Sequence, residues 1–521
     1  MSKIMEKAAY WRGFIAVVCC AALAGCAVGP DFRPPAAPAV QNYTATALPI
    51  QSAEAPGVGG NAQRFDMGAK IPSQWWTLFR SEDLDRLIRM ALADNPTTAA
   101  AQAALRQARE NYSAQYGASR FPGIDANLSA GRERSGGASF GQSGGGGATF
   151  NLFNASVSVS YVLDIFGGAR RELEALQAQV DYQGYQLQGS YLTLTANVVT
   201  SAVLEASLRA QLQATRDILA DQQQAYALVE RQFQLGGIAR ADVLAQRTQL
   251  AQTQAALPPL EKALSQTRHL LAVLVGKLPA EAGALPEFDI QGMALPTTLP
   301  VSLPSSLARQ RPDIQAAEAL LHAASAQVGV ATANMYPSIT LTAGYGSASN
   351  KLGDLFSSDA MLWNLGAGLL QPLFHGGELS AKRRAAVAAY DQALALYRQT
   401  LLQAFLDVAN TLRALESDAS TLKAQADVEK AAQDALALTK SQFQLGAVSY
   451  LSLLDAQRQF QQARVRLIQA QAARFADTAA LFQSLGGGWW QPAPDAGNEA
   501  ALAKEHLSAG EFRTMARPST R

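Results

Sequence analysis

The sequence predicts a mainly helical protein with a membrane β-barrel part. Three observations carry this prediction: two long tracts without proline, four segments of alternating polarity, and an N-terminus typical of exported proteins. Helices of this length cannot bury themselves against one globular core, and strands of alternating polarity have one face for lipid and one for water. Together the patterns predict helical hairpins that continue into membrane-crossing strands.

The N-terminus is predicted to be an export signal with a lipid attachment site. A basic start precedes an apolar run at 13–22, which is too short to span a membrane. The Leu-Ala-Gly-Cys sequence that ends at Cys26 is similar to the cleavage site of bacterial lipoproteins. We therefore expect removal of residues 1–25 and a covalent lipid on Cys26, with a plain secretory signal as the alternative. Alanine rather than aspartate follows this cysteine, which favours the outer membrane.

Cysteine content and charge limit the chemistry of the mature chain. Cys19 and Cys20 leave with the signal and Cys26 becomes the anchor, so no thiol remains for disulfides or for a metal. No cofactor other than the covalent lipid is predicted. The formal net charge is +1 and only 16% of residues are charged, which argues against a nucleic-acid partner.

Residues 26–95 are predicted to be a lipidated tether followed by part of an equatorial segment. Residues 29–62 are rich in proline, alanine, glycine and serine and show little periodicity. The ordered part is expected to begin between Trp75 and Arg89, with apolar anchors at Trp76, Leu84, Leu87 and Ile88.

Two hairpins of membrane-crossing strands are predicted at 121–168 and 336–377. In each strand apolar and polar residues alternate over about ten positions, the length needed to cross a bilayer at a tilt. An ordinary half-buried soluble sheet is the alternative. The strands are expected at 124–131, 156–163, 338–345 and 363–370, with loops at 132–150 and 346–360.

Helices are predicted to flank each strand hairpin, in two repeats. A chain of 67 residues in one helix would be ~100 Å long. The return arms are expected to end near 257 and 484, and 258–305 is assigned to the equatorial segment. The first repeat comprises 96–120 and 169–257, the second comprises 306–335 and 378–485, and the C-terminal segment with a disordered tail is 486–521.

A repeated pentapeptide marks the far end of each hairpin. Gln-Phe-Gln-Leu-Gly occurs at 232–236 and again at 442–446. A glycine that ends a helical tract suits a left-handed helix cap, where the chain reverses. The repetition indicates an internal duplication rather than coincidence. Because Gly237 follows the first copy, a looser turn is expected there than at the second.

Strands from more than one chain are needed to close a barrel. An open sheet edge is not tolerated against lipid, and known barrels start at about eight strands. Four strands must therefore combine with those of other copies, two copies giving eight strands and three copies giving twelve.

The whole chain resembles the outer membrane factors of tripartite efflux pumps, most closely the NodT/OprM-like lipoproteins. The resemblance covers nearly all of residues 23–490. It rests on the lipid attachment site, the hairpin tips, the Phe-Gly-Gly turns and the sequences Arg311-Pro312-Asp313-Ile314 with Ala317-Glu318, Tyr336-Pro337-Ser338-Ile339 and Leu257-Pro258-Pro259-Leu260-Glu261.

This resemblance implies a homotrimer with a twelve-stranded barrel in the outer membrane and a long α-barrel across the periplasm. It also implies a girdle, for which we nominate residues 260–305 and both ends of the chain. The implied function is that of an exit duct, which conducts small toxic compounds passively. The implied partners are outer membrane lipid, a periplasmic adaptor (membrane fusion) protein and an inner-membrane transporter of the RND type.

Site residues follow from the tips and from the resemblance. The exposed tips are expected to meet the adaptor through Leu235, Gly236, Leu445 and Gly446, with Asp242 nearby. In the family, a leucine and an aspartate at the positions of Leu451 and Asp455 close the periplasmic entrance as stacked rings. The alternatives are that Leu451 packs between helices, that Asp455 is a solvated charge, and that Asp242 caps a helix.

Other classes of function were weighed against the channel. The four histidines lie far apart, and no metal-protease, nucleophile-elbow or phosphate-loop motif is present, which argues against an enzyme. An export duct of a type I protein secretion system and a structural outer membrane lipoprotein remain open alternatives.

Overall fold

A computed structural model describes residues 27–135 and 148–489. The predicted signal at 1–25, the lipid on Cys26 and the predicted tail beyond 489 lie outside the described residues, so these three predictions stay predictions. No helix in the described ranges combines the length and the hydropathy needed to cross a membrane.

Long helices alternate with strands along the chain. The α-helices are α1 (Glu82–Asp94), α2 (Pro96–Arg120), α3 (Gly168–Gln234), α4 (Arg240–Leu274), α5 (Pro304–Gln310), α6 (Pro312–Ala333), α7 (Glu378–Gln444) and α8 (Tyr450–Ser484). The strands are β1 (Arg64–Met67), β2 (Gly123–Ser135), β3 (Ala148–Leu163), β4 (Thr298–Val301), β5 (Ser338–Ser349) and β6 (Met361–Leu370).

The chain divides into two compact units. The strand unit comprises Met1–Pro35, Ala104–Gly184 and Ala316–Arg398. The helical unit comprises Ala36–Ala103, Tyr185–Gln315 and Gln399–Arg521. Each unit takes segments from both repeats, as expected for a duplicated chain.

The strand unit contains an antiparallel sheet of order β2-β3-β5-β6. Strands lie at all four predicted positions, but the predicted loop at 132–150 is wrong at both ends. The apolar alternation stops at Arg132, which led to the early boundary. Backbone pairing does not depend on that alternation, and it continues to the pair Ser135 and Ala148. Likewise β5 continues to Ser349, beyond the predicted boundary.

The tether is seated on the strand unit directly after the predicted lipid site. Val28 N–H donates to the Phe166 carbonyl at 3.0 Å. Gly29 has φ +98° and lies so close to Gly329 that a Cβ on Gly29 would be 2.4 Å from the Gly329 Cα, so only glycine fits. Phe32 stacks on His322 with ring centroids 4.3 Å apart.

Arg171 holds the same segment electrostatically. Its guanidinium lies 2.6 Å from the Asp31 carboxylate and 2.8 Å from that of Glu174. Burial opposes the charge of Arg171, but the hydrogen bonds and charges of Asp31 and Glu174 outweigh it and raise the Arg171 pKa. An extended chain with little secondary structure is thereby fixed in place.

The core of the helical unit lies around aromatic side chains. Trp75 stacks on Phe482 at 5.2 Å, and Phe79 packs on Phe475 at 6.2 Å. The predicted anchors Trp76, Leu84, Leu87 and Ile88 are all buried in this core. Strands β1 and β4 pair in parallel beside it.

A buried arginine fastens the second part of the tether to α8. Arg474 is fully buried and donates to the carbonyls of Gly59 and Asn61 and to the side-chain oxygens of Ser52 and Gln63, at 2.7–3.2 Å. These bonds satisfy both terminal nitrogens of the guanidinium, while its Nε is buried without a partner and burial lowers the Arg474 pKa.

A carboxyl pair lies near that arginine, between α7 and α8. The pKa of Asp418 is raised to about 7, first by burial and then by a hydrogen bond with Asp477 and its charge, against the opposing charge of Arg474. The folded state therefore favours the protonated form of the Asp418 carboxyl.

The predicted end of the first return arm at 257 is wrong, because α4 continues to Leu274 through Pro258 and Pro259. A proline inside a helix leaves the carbonyl four residues earlier without its N–H partner. Here Gln254 and Ala255 are exposed, so water can bond to the two carbonyls. Buried Leu271 and Ala272 hold the end of the helix in the core.

Candidate functional site

Both hairpin tips end in the same glycine cap. Gly236 has φ +78° and Gly446 has φ +72°. Gly236 N–H donates to the Phe233 carbonyl and Gly237 N–H to the Gln232 carbonyl, at 2.9 and 2.8 Å. The second tip has the same pair of bonds at 3.0 and 2.9 Å. The expectation of a looser first turn is therefore wrong, because Gly237 closes the same motif as Ala447.

The tips present small and apolar groups without neighbours. Leu235 is 82% exposed and Leu445 is 84% exposed. A Cβ added to Gly236 or Gly446 would meet nothing within 4 Å. Such a surface lets another helix approach closely, as the sequence predicts for an adaptor.

A small apolar cluster lies next to the tips. Its buried members come from α3 and α8, and partly buried side chains such as Phe443 pack against them. The rings of Phe443 and Tyr450 lie 5.3 Å apart. The buried members are Val229, Tyr450, Leu453 and Leu454.

Tyr450 joins the two hairpins by a buried hydrogen bond. Its hydroxyl donates to Gln246 Oε1 on α4 at 2.5 Å, and Gln246 Nε2 donates to the Gln222 carbonyl on α3 at 3.2 Å. Burial raises the Tyr450 pKa and the charge of Asp242 raises it further, so the phenol remains a donor. No sequence motif predicts a role for Tyr450 or Gln246. The spacing of Tyr450, Leu453 and Leu454 indicates one buried helix face. It does not indicate that the Tyr450 hydroxyl bonds to Gln246, which lies about 200 residues earlier on α4.

Leu451 and Asp455 lie on the other side of this first turn of α8. Leu451 is 62% exposed, so it does not pack between helices of its own chain. Asp455 accepts hydrogen bonds from Arg458 and, at 2.6 Å, from Gln459 Nε2. In the predicted ring of carboxylates, each Asp455 would therefore be paired with Arg458 of the same chain. This pairing was not part of the prediction.

Asp242 occupies the third position of α4. The residue before this helix is Ala239, and no side chain caps the helix end by a hydrogen bond. The alternative that Asp242 caps the helix by a side-chain bond is therefore wrong. Its charge still suits the first turn, where the helix dipole favours an anion.

No group of three or more histidine, cysteine or acidic side chains arranged for a metal ion is found among the described residues. The arrangement at the tips consists of exposed leucines, glycine turns, one latching phenol and a leucine–carboxylate face. Those features suit a helix-bundle entrance and a docking surface.

Comparison with known proteins decides the family. The family model described as outer membrane efflux protein matches residues 87–277 and 303–487, one segment in each repeat. The chain belongs to this family. Its members are channels of the outer membrane, which places this protein there too.

Two curated relatives illustrate the range of the family. The chain is 32% identical over 419 residues to the pyoverdine export outer membrane protein OpmQ of Pseudomonas aeruginosa, covering 80% of this chain and 87% of OpmQ. It is 31% identical over 477 residues to the cation efflux system protein CusC of Escherichia coli O6:H1, covering 90% and 97%.

A solved structure shows the same fold. The outer-membrane channel OprN superposes with a TM-score of 0.80 at 29% identity, covering 89% of this chain and 100% of OprN. The predicted fold class is confirmed: long helical hairpins form a periplasmic α-barrel, and four transmembrane strands per chain contribute to a twelve-stranded barrel in a trimer.

Proposed function

We propose that this efflux channel is the exit duct of a tripartite pump, and that it conducts small toxic compounds passively from the periplasm to the exterior. The observation that carries the proposal is the pair of equivalent tips, each with an exposed leucine before an open glycine turn. The open space at each glycine leaves room for a partner helix, which could bury the exposed leucine beside it.

The proposed partners are two further copies of the chain, a periplasmic adaptor and an inner-membrane transporter of the RND type. The adaptor would bury Leu235 and Leu445 between its own helices. The gate is proposed to form where three copies bring Leu451 and Asp455 together, as an apolar ring beside a ring of carboxylates. No catalytic role is proposed for any residue.

Substrate selection is proposed to lie in the transporter rather than in this chain. OpmQ exports pyoverdine by name and CusC belongs to a cation efflux system, yet both are similar to this chain to the same degree. A duct common to such different cargoes is a passive pore.

Three measurements test this function. Purified protein in a planar bilayer is expected to show stepwise conductance, and native mass spectrometry in detergent is expected to show a trimer. A deletion strain should become sensitive to several small toxicants and recover when the gene is restored. A protein without conductance would support the structural lipoprotein instead, and loss of a secreted protein with unchanged toxicant sensitivity would support type I secretion.

A further inference from the structure

One face of the β2-β3-β5-β6 sheet is apolar and exposed. The register pairs Ile124 with Val159, and Tyr345 with Trp363, on this face. The other face has Asp125 opposite Ser158. In an outer-membrane barrel the apolar face contacts lipid and the polar face lines the lumen.

The apolar series on β3 has the height of a bilayer core. It extends from Leu163 to Phe153, about 33 Å of strand at ~3.3 Å per residue. A strand tilt of about 40° reduces this to a height of about 25 Å, the height of the apolar band on such barrels. Phe153 therefore marks one edge of the hydrocarbon region.

Two arginines on β2 lie just beyond that edge, on the lipid-facing side. Ala130 pairs with Phe153, and the next positions of the same face are Arg132 opposite Asn151 and Arg134 opposite Thr149. Both arginines are exposed. Neither forms an ion pair with any of the described residues, and residues 136–147 contain no charged side chain.

These arginines belong to the outer leaflet. Helices α2 and α3 adjoin the ends of β2 and β3 at Gly123 and Leu163, and they extend into the periplasm. Arg132 and Arg134 lie at the opposite end of the strands. There the adjacent lipid is the phosphorylated glycolipid of the outer leaflet, lipid A.

We propose that Arg132 and Arg134 form a binding site for the phosphate groups of outer-leaflet lipid A. Guanidinium groups bind phosphate through paired charge-assisted hydrogen bonds. Residues two apart on a strand face are separated by about 7 Å, so each arginine can reach a phosphate oxygen of the same headgroup. The site fixes a glycolipid against the barrel and sets the depth of the strands in the membrane.

The test uses the full-length lipoprotein, delipidated in detergent, and native mass spectrometry. Bisphosphorylated lipid A is titrated against the wild type and against Arg132→Gln with Arg134→Gln. Wild type is expected to bind it and to bind phosphate-free lipid A at least tenfold more weakly. The double variant should lose at least tenfold in affinity for the bisphosphorylated form, since it lacks both charge-assisted donors to phosphate.

The matched control is Arg106→Gln with Arg109→Gln, which removes two exposed arginines from α2 outside the membrane. This control should bind lipid A as the wild type does. The proposal would be overturned if the wild type bound phosphatidylglycerol as tightly as lipid A. It would also be overturned if the β2 double variant bound lipid A as the wild type does, or if the α2 control lost as much affinity for lipid A as the β2 double variant. Loss of the trimer in the β2 variant would also overturn it, since the arginines would then serve contacts between copies.

Discussion

The phenol of Tyr450 connects the first turn of α8, where the gate is proposed, to α4. Tyr450 is 6% exposed and its partner Gln246 is fully buried, so the bond between them is shielded from water. If the bond is lost, Gln246 Oε1 keeps its burial but has no donor, which is unfavourable by about 1–3 kcal/mol. Leu451 follows directly, so the position of the proposed gate depends on this bond.

We expect Tyr450→Phe to loosen the entrance while keeping the ring packed on Phe443. Single-channel conductance in planar bilayers should rise, and cells should take up more of a large antibiotic. Tyr43→Phe is the control, because it removes a hydrogen bond of 2.8 Å to the Ser302 carbonyl in the same unit but outside the tip cluster. Equal conductance of both variants and the wild type would refute the latch.

The proposed gate residues give a second prediction. Leu451→Ala combined with Asp455→Ala should raise conductance and weaken cation selectivity, because an apolar ring resists wetting and carboxylates attract cations. Reversal potentials in a salt gradient measure the selectivity. Asp434→Ala, which breaks an exposed pair with Lys430, should leave both values unchanged. Wild-type behaviour of the double variant would exclude these two residues as the gate.

At the scale of elements, helix starts and strand positions followed from sequence, but extents did not. Proline at the first turn marks the start of α2, and a glycine just after the last turn marks the ends of α3 and α7. Both signals act locally, so they can be recognised from sequence. The end of α4 was missed, since exposure of the carbonyls before Pro258 is a tertiary property. The length of β2 was underestimated, because its backbone pairing with β3 continues to Ser135 while the apolar alternation stops at Arg132.

The second tip gives a prediction for docking. Gly446→Trp should block cross-linking to the adaptor and abolish efflux while the trimer persists, because the bulk lies in open space and obstructs only a partner. The left-handed φ of +72° adds a local cost of about 1 kcal/mol. Gly353→Trp is the control, since a Cβ there also meets nothing within 4 Å. Undiminished cross-linking by Gly446→Trp would remove this tip from the docking surface.

The Asp418 and Asp477 pair between α7 and α8 predicts a pH dependence of stability. The folded pKa of Asp418 is raised to about 7, chiefly by burial, so the native state favours the protonated acid. Its contribution to stability is complete below about pH 4 and is lost as pH rises through about 7. Thermal unfolding of Asp418→Asn should therefore show a smaller decrease in Tm over this range than wild type. Asp427→Asn, an exposed change on α7, should keep the wild-type slope.

At the scale of the whole molecule, sequence identified the hairpin tips but not the contacts beside them. Gly236 and Gly446 stand out because a repeated motif ends in a residue with special backbone freedom. The Tyr450–Gln246 bond depends on packing between helices that are distant in the sequence, and no local pattern encodes it. The Asp455–Arg458 pair, by contrast, has the i,i+3 spacing of a helix-surface ion pair, so it could have been predicted.

The anchor gives a prediction for the assembled protein. Cys26→Ala should remove the acyl mass from the mature chain, as intact mass spectrometry of membrane-extracted protein would show. The barrel inserts by its own apolar face, so part of the efflux activity should remain. A wild-type mature chain that lacks acyl mass or begins at another residue would contradict the lipid site.

The segment around Gly29 is held by residues that lie far from it in the sequence. The segment around Gly29 is translated early, yet Arg171 and Gly329, which hold it, are translated much later, and Gly329 lies in the second repeat. A contact between such distant positions forms late in folding, because closing a long loop costs entropy before any contact is gained. The beginning of the chain must therefore remain unbound until both repeats have folded. Binding of the Gly29 segment to Arg171 and Gly329 therefore indicates that the subunit has finished folding. Resistance of this segment to a protease would measure that step.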